Sequence, residues 1–575
     1  MLDTLIAGGT LVDGTGSPGR AADIGIRDGR IVAVGTVDEP ARRRLDADGL
    51  VVAPGVIDLH THYDAQLCWD PYAAPSSLHG TTTVIGGNCG FSIAPVQDGD
   101  IDYMSRLLAR VEGMPLESLQ SAVPWDWRTF GGYLDRFVGK LGINAGFFVG
   151  HTALRRYVLG EDGERHASAE ELERMGQLLA EGLGAGGLGF ATGTSPTHND
   201  DRGRPVTNRF ASREEYVELA RLTGRFPGTS LEIVPPPGRF SAEQIDLMTE
   251  MSAAADRPIN WNLLNVSKVI WEDCQQRLGA SDHAAQRGGR IVALTLPIAN
   301  AMRLNFISGF LFDSLPVFTQ LFELDAAARM QVLSSPEARA LLKRAVDTPQ
   351  GRALYYLTDW GGLQIGQTFS EANAGLAGQT VAQIAAARGV DPLDALLDVV
   401  VADDLRTVIV TPLRGDDPES WELRSEVLRD RRSIAGGSDC GAHVDMLDTF
   451  SMNTTLLGPC VRDRQMLTLE EAVHHLTGAP ASLYGLVGRG AVSEGAWADL
   501  IIFDPTTIGP GTIEMRYDMP AGAGRLYSEP TGIERVFVAG TEVIEPGGRL
   551  TGELPGQVLR SGSDTRTVTV AAVPI

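Results

Sequence analysis

Two histidines one residue apart, His60 and His62, close an apolar run that reads V-V-A-P-G-V-I-D-L-H-T-H over residues 51–62. In a strand, side chains at i and i+2 share a face, so the two imidazoles stand side by side. Strands buried on both faces of a parallel barrel read as continuous hydrophobic runs, and such barrels carry their chemistry at the C-terminal strand ends. Two neutral imidazoles placed there make half of a metal site. An isolated H-x-H also fits two polar residues leaving a strand. Here Pro54-Gly55 break the chain ahead of the run, Asp58 precedes His60 on the same face, and the pair falls where the strand must stop.

The elements that must position this pair follow from the alternation of the chain. Its middle alternates short β-rich runs with helical patterns, the mark of βα units and a parallel sheet. Candidate strands lie at 51–62, 82–89, 144–151, 187–192, 229–234, 258–264, 290–296 and 433–439. Eight of them fit a (β/α)8 TIM-like barrel. Helices are expected at 168–183, where Ser168 and Glu171 form a capping box, and at 212–224. Both chain ends have a different texture, β runs with turns at Asp13-Gly14, Asp28-Gly29 and Ala539-Gly540. The expected organisation is α/β: a barrel over 54–484 and a small β-sandwich domain built from both termini, 1–53 and 485–575.

Two connections are long. Residues 90–142 read as an extended loop containing Trp125, Trp127 and Phe130. Residues 298–432 separate strands seven and eight, with helices expected at 326–345, 381–388 and 392–402. Within the second, 298–350 carries Phe306, Phe310, Phe312, Phe318 and Phe322. It reads as a lid over the barrel mouth, its phenylalanines lining an acyl pocket or a dimer contact.

Composition narrows the partners. A net charge of −24 argues against nucleic acid and anionic membranes. The first ten residues lack a basic segment, and no run of about twenty apolar residues suggests a membrane span. Five cysteines without a CxxC pair read as reduced thiols of a cytoplasmic protein. The remaining partner class is a small-molecule substrate, and a homo-oligomer stays open.

With these segments in view, the chain resembles the amidohydrolase superfamily and, within it, the N-acyl-D-amino-acid deacylases (D-aminoacylases). The resemblance rests on I-A-G-G-T-L-V-D-G-T-G near the start and P-G-V-I-D-L-H-T-H. It continues through G-T-T-T-V-I-G-G-N-C-G at 80–90, V-G-H-T-A-L-R at 149–155, G-L-G-F-A-T-G at 187–193 and G-G-S-D at 436–439. It ends with A-D-L-I-I-F-D at 498–504 and P-A-G-A-G-R-L at 520–526. The resemblance implies a barrel with a β-sandwich, one or two zinc ions, and hydrolysis of a linear amide in an N-acyl-(D-)amino acid. Cys89 falls on the family's metal-binding cysteine. Asp439 falls on the aspartate that binds metal and serves as general base, and His60 and His62 fall on the strand-one ligands. A lone cysteine is also commonly a small buried hydrophobe.

The departures from the family are specific. Strand five (T-S-L-E-I-V-P) and strand six (P-I-N-W-N-L-L-N) lack the histidines that bind metal in the deacylases. No lysine stands at a strand end, which disfavours a hydantoinase-type pair of metals. One zinc ion is therefore expected, on His60, His62, Asp439 and Cys89. His151, His198 and His443 are candidates for the barrel mouth, and Arg155 and Arg303 for a substrate carboxylate. His79, His166, His283, His474 and His475 read as structural. Two alternatives remain: an amidohydrolase acting on a cyclic amide, lactone or ester, or a degenerate barrel that only binds.

Overall fold

At Gly55 the chain passes from one sheet into another. Val51–Pro54 belongs to a nine-stranded sheet, and Val56–Asp58 opens the barrel. The single strand expected over 51–62 is thus two. A Cβ on Gly55 would lie 2.2 Å from Thr82 Oγ1, so only glycine lets the backbone cross so close to strand two. The computed structural model describes residues 1–299, 301–309, 311–312, 315–322, 324–344 and 355–571.

The barrel strands are Val56–Asp58, Thr81–Gly86, Asn144–Phe147 with its continuation Val149–Gly150, and Gly189–Gly193. Strands five to eight are Ser230–Val234, Ile259–Leu264, Ile291–Thr295 and Ser433–Ala435. Each pairs in parallel with its sequence neighbour. Closure between strands eight and one comes from the Thr61–Cys440 bridge, with His62 N–H donating to Cys440 O at 2.7 Å.

Alternate strand residues go to different cores, as the two-residue period requires. Val56, Val84, Phe147, Leu231, Ile233 and Ala293 face the helix layer. Ile57, Ile85, Phe148, Val292, Leu294 and Ile434 fill the interior, closed below by Leu483, Tyr484 and Leu559. Between helix-facing Leu231 and Ile233, Glu232 therefore points inward. The helix Ala169–Gly184 starts on the expected capping box: Ser168 Oγ accepts from Glu171 N–H at 3.2 Å, and Glu171 Oε2 accepts from Ser168 N–H at 2.7 Å. Such a cap contributes about 1 kcal/mol.

The nine-stranded sheet joins strands from both ends of the chain, Leu2–Leu11 and Val51–Pro54 on one side and Leu500–Phe503 and Ile533–Val538 on the other. After that sheet, the chain returns to the barrel. Gly556 bridges Leu141 and Val558 bridges Ala145, so this segment runs beside the N-terminal end of strand three.

In the long insertion, Asn305, Ile307 and Ser308 line a cavity with Gly113, Met114 and Asp445. The insertion's phenylalanines pack on one another rather than on a pocket. Phe306 lies 5.1 Å from Phe312 and Phe318 lies 5.8 Å from Trp360, ring centre to ring centre, in a core that adds Ile365, Leu396 and Val400. The helix expected over 326–345 is two, Ala326–Ser334 and Pro336–Lys343, because Pro336 cannot donate to the first and starts the second. Phe310 and residues 345–350 lie outside the described residues. Among the described residues, no helix is long and apolar enough to cross a membrane.

Candidate functional site

Strand one ends at Asp58, and the next four residues carry both imidazoles inward. Asp58 fixes the turn: Oδ2 accepts the Ser438 hydroxyl at 2.5 Å, and Oδ1 accepts His60 N–H at 3.4 Å. From strand eight, Asp439 N–H donates to His60 O at 3.1 Å. These bonds bring His60, His62 and Asp439 together from opposite ends of the sequence. His62 Nε2 lies 3.1 Å from Asp439 Oδ1, and His60 Nε2 lies 3.5 Å from the same oxygen.

Cys89 arrives on a tight turn after strand two. Gly87, Cys89 and Gly90 all have left-handed backbone, at φ 74°, 57° and 84°. Glycine meets this freely, but at Cys89 it costs about 1–2 kcal/mol. Asp439 (φ 62°) and His443 (φ 47°) share the strain. Strain of this kind gathers at functional sites, where the surroundings hold it. The turn sets Cys89 Sγ 3.4 Å from His60 Nε2 and 3.7 Å from His62 Nε2.

Sequence reasoning missed two carboxylates. His62 Nδ1 lies 3.4 Å from Glu112 Oε2, and His60 Nδ1 lies 3.6 Å from Glu232 Oε1. Glu232 Oε2 also accepts Cys89 N–H at 3.0 Å. Each histidine thus turns Nε2 to the Cys89–Asp439 side and Nδ1 to a carboxylate of its own, the arrangement that orients histidine ligands in metal sites. Glu232 left one signal in the sequence, an acid in an otherwise buried parallel strand. Glu112 left none, because it follows the helix Ile101–Val111 far from any strand end.

Burial and close neighbouring charges shift the titratable groups of this cluster. Burial pulls His62 down, but Glu112 and Asp439 outweigh it and lift its pKa to about 10. Burial pushes Asp439 up, but hydrogen bonds from His60 and His62 hold it well below the usual carboxylate range. Glu112 rises to about 7, chiefly through burial against the pull of His62. Burial also holds His60 low and pushes Cys89 and Glu232 well up. A tetrahedron with zinc bonds of about 2.0–2.3 Å has edges of about 3.3–3.8 Å. The ligand atoms of His60, His62 and Cys89 lie within 4.8 Å of one another, with Cys89 Sγ 3.4 and 3.7 Å from the two Nε2 atoms, close to those edges, and Asp439 Oδ1 stands beside both histidines at 3.1 and 3.5 Å. The donor set fits zinc.

Cys89, Asp439, Glu112, His198 and His443 line one cavity of about 370 Å3, with Ser195, Asn262 and Arg277 also on its wall. Burial takes His198 down to about 3 and lowers His443, so both are neutral. Nδ1 of His198 and Oδ1 of Asn262 are buried without a protein partner.

Three expected site residues are elsewhere. His151 Nε2 bonds Glu215 Oε1 at 2.8 Å, and Arg155 Nη1 donates to both oxygens of Glu215 at 2.6 Å. Arg155 also donates to Gly163 O and Arg165 O. The pair is a fully buried network in which both Arg155 Nη groups are taken by protein acceptors and Nε, also buried, is left without a partner. Arg303 is ion-paired to Asp448 and borders a different cavity. The insertion, too, contributes no described residue to the cavity holding Asp439.

Comparison with known proteins gives the family and its relatives. The sequence profile of the amidohydrolase family matches residues 43–543. D-aminoacylase of Alcaligenes xylosoxydans xylosoxydans is 29% identical, covering 97% of each chain. N-acyl-D-aspartate deacylase of the same organism is 29% identical over 97% of this chain and 95% of its own. A solved structure of D-aminoacylase, studied for its binuclear metal centre, aligns with a TM-score of 0.64 at 26% identity, covering 97% of this chain and 100% of that one.

Proposed function

This chain belongs to the amidohydrolase family, and on that premise we propose that it deacylates an N-acyl-(D-)amino acid with the help of one zinc ion. It is a metal-dependent hydrolase of carbon–nitrogen bonds other than peptide bonds, related over nearly its whole length to deacylases of N-acyl-D-amino acids. The observation that carries the reading is the cluster of His60, His62 and Cys89, whose ligand atoms lie within 4.8 Å of one another, with Asp439 3.1 Å from His62 and, like Cys89, lining an open cavity.

His60, His62, Cys89 and Asp439 would hold the ion. When bound, zinc supplies Lewis acidity toward oxygen. Of the four side chains, Asp439 is the most accessible: its side chain is 25% exposed, against 0% and 3% for the two histidines. Its carboxylate is positioned to take the proton of an attacking water and return it to the leaving nitrogen. The water oxygen bonds to the carbonyl carbon, the C–N bond breaks, and the products are a carboxylate and a free amine. Glu112 and Glu232 stand 3.4 and 3.6 Å from the two Nδ1 atoms, the side on which carboxylates orient histidine ligands. His198, neutral and with an unpartnered Nδ1, offers a hydrogen bond to the substrate amide. Support for a single ion comes from the inventory: strand five brings Glu232, which faces the far side of His60, and strand six brings Asn262. In the related D-aminoacylase, one metal activates and the second attenuates.

A screen of N-acetyl-amino acids of both configurations with zinc-loaded protein tests the reading. Release of free amino acid from the D series is expected, and hydrolysis of cyclic amides or lactones without any N-acyl-amino acid would overturn it.

A further inference from the structure

With Arg155 and Arg303 committed to buried partners, the charge that would read a substrate carboxylate has to come from elsewhere. Among the described residues, Arg277 is the one lysine or arginine on the wall of the cavity that holds Asp439. It stands on the helix Trp271–Ala285, which follows strand six, and is 9% exposed.

Its partners do not satisfy it. The guanidinium carbon lies 4.3 Å from the Trp261 ring centre and 4.7 Å from that of Phe240. Nη1 donates to Leu263 O at 3.1 Å, and Nε is buried without a partner. Among the described residues, no carboxylate lies within ion-pair distance. The one acid nearby on the same wall, Asp273, is paired with Arg239 at 2.6 Å. Nε is also unpartnered in Arg155, Arg257 and Arg329, but their Nη groups are held more fully. Arg155 has the Glu215 carboxylate, and Arg257 and Arg329, which lack close carboxylates, are each held by four backbone carbonyls. Arg277 has one carbonyl for five donors. Burial pulls its pKa down to about 10, so it stays cationic at neutral pH. Two aromatic rings fix the plane of the fork, which lowers the cost of docking a planar anion against it.

We propose that Arg277 is the substrate-carboxylate anchor of this cavity, receiving the acid end of an N-acyl amino acid while the amide lies toward Asp439. The assignment rests on the deacylase reading for the identity of the amide, but the anion site stands on its own geometry. It makes the substrate class an N-acylated acid rather than a neutral amide.

The test uses full-length zinc enzyme with N-acetyl-D-leucine and its carboxamide, N-acetyl-D-leucinamide. Arg277→Met keeps the packing against Trp261 and Phe240 and removes the charge, and Arg277→Lys keeps the charge without the fork. For the acid, the Met variant is expected to raise KM roughly 10- to 150-fold, the worth of hydrogen bonds to a charged group, with kcat changed only a few-fold. The Lys variant should recover part of this, and the carboxamide should be unaffected. Equal losses on both substrates, or an unchanged KM for the acid, would overturn the anchor. If the Met variant fails to fold, the Lys variant alone must still weaken the acid selectively. If the wild type hydrolyses neither compound, calorimetry of both ligands separates the two claims. Binding of the acid that is lost in the variants retains the anchor and removes the deacylase reading, whereas no acid-selective binding removes the anchor.

Discussion

Replacing Glu112 by Gln removes a carboxylate 3.4 Å from His62 Nδ1 with almost no change in volume. Both side chains are buried, at 4% and 3% exposure, so solvent does not screen the pair. Coulomb's law at that separation with an effective dielectric of ~20 gives about 5 kcal/mol between full charges. The net loss is smaller, because ionised Glu112 already bears a burial cost, visible in its rise to about 7, and the Gln carbonyl still accepts a hydrogen bond. Loss of such orienting partners typically weakens metal binding about 10- to 100-fold, or about 1.4–2.7 kcal/mol. That range is the expectation for Glu112→Gln, and the same for Glu232→Gln at His60. The assay is competition for zinc between metal-depleted protein and a chromophoric chelator, with circular dichroism confirming the fold. Wild-type affinity in both variants would refute the assignment of these acids as orienters.

Asp439→Asn should fold and bind zinc yet lose turnover about 10²- to 10⁴-fold, measured by steady-state hydrolysis; full activity would exclude Asp439 as proton carrier. Arg155→Met strands the buried Glu215 carboxylate and should cost about 3–5 kcal/mol in chemical denaturation, without any substrate-selective change in KM in the folded fraction. A third expectation concerns acid stability. His79 is fully buried, bonded to Thr454 Oγ1 at 2.7 Å, and burial takes its pKa from 6.5 to about 3. The unfolded chain therefore takes up this proton first as pH falls. Its neutral form costs no stability above pH 6.5, and stability is lost from there down to about pH 3, by about 2 kcal/mol at pH 5. His79→Gln should flatten that limb of the melting profile, and an unchanged limb would contradict the burial argument.

Much of the barrel was legible because buried parallel strands write themselves as β-branched runs, and all eight expected runs overlap a barrel strand. His60, His62, Cys89 and Asp439 were legible for a related reason: strand ends are where a barrel places side chains in its mouth. What failed depended on distance in space rather than in sequence. His151 and Arg155 sit at a strand end like the site residues do, and only the position of Glu215, sixty residues on, commits them to the interior. The phenylalanines of the insertion were read correctly as apolar, but one sequence cannot say whether such residues cover a neighbour or each other. Glu112 and Arg277 lie in a loop and on a helix, where an isolated charge reads as a solvated surface.

The central claim is that one zinc ion on His60, His62, Cys89 and Asp439 makes this chain a deacylase. Stepwise addition of zinc to metal-depleted protein, with the rate of N-acetyl-D-leucine hydrolysis followed at each step, tests it most directly. Activity should rise from near zero and level off at one equivalent per chain. A rate that continues to rise to two equivalents, or no hydrolysis at any zinc level, would contradict it.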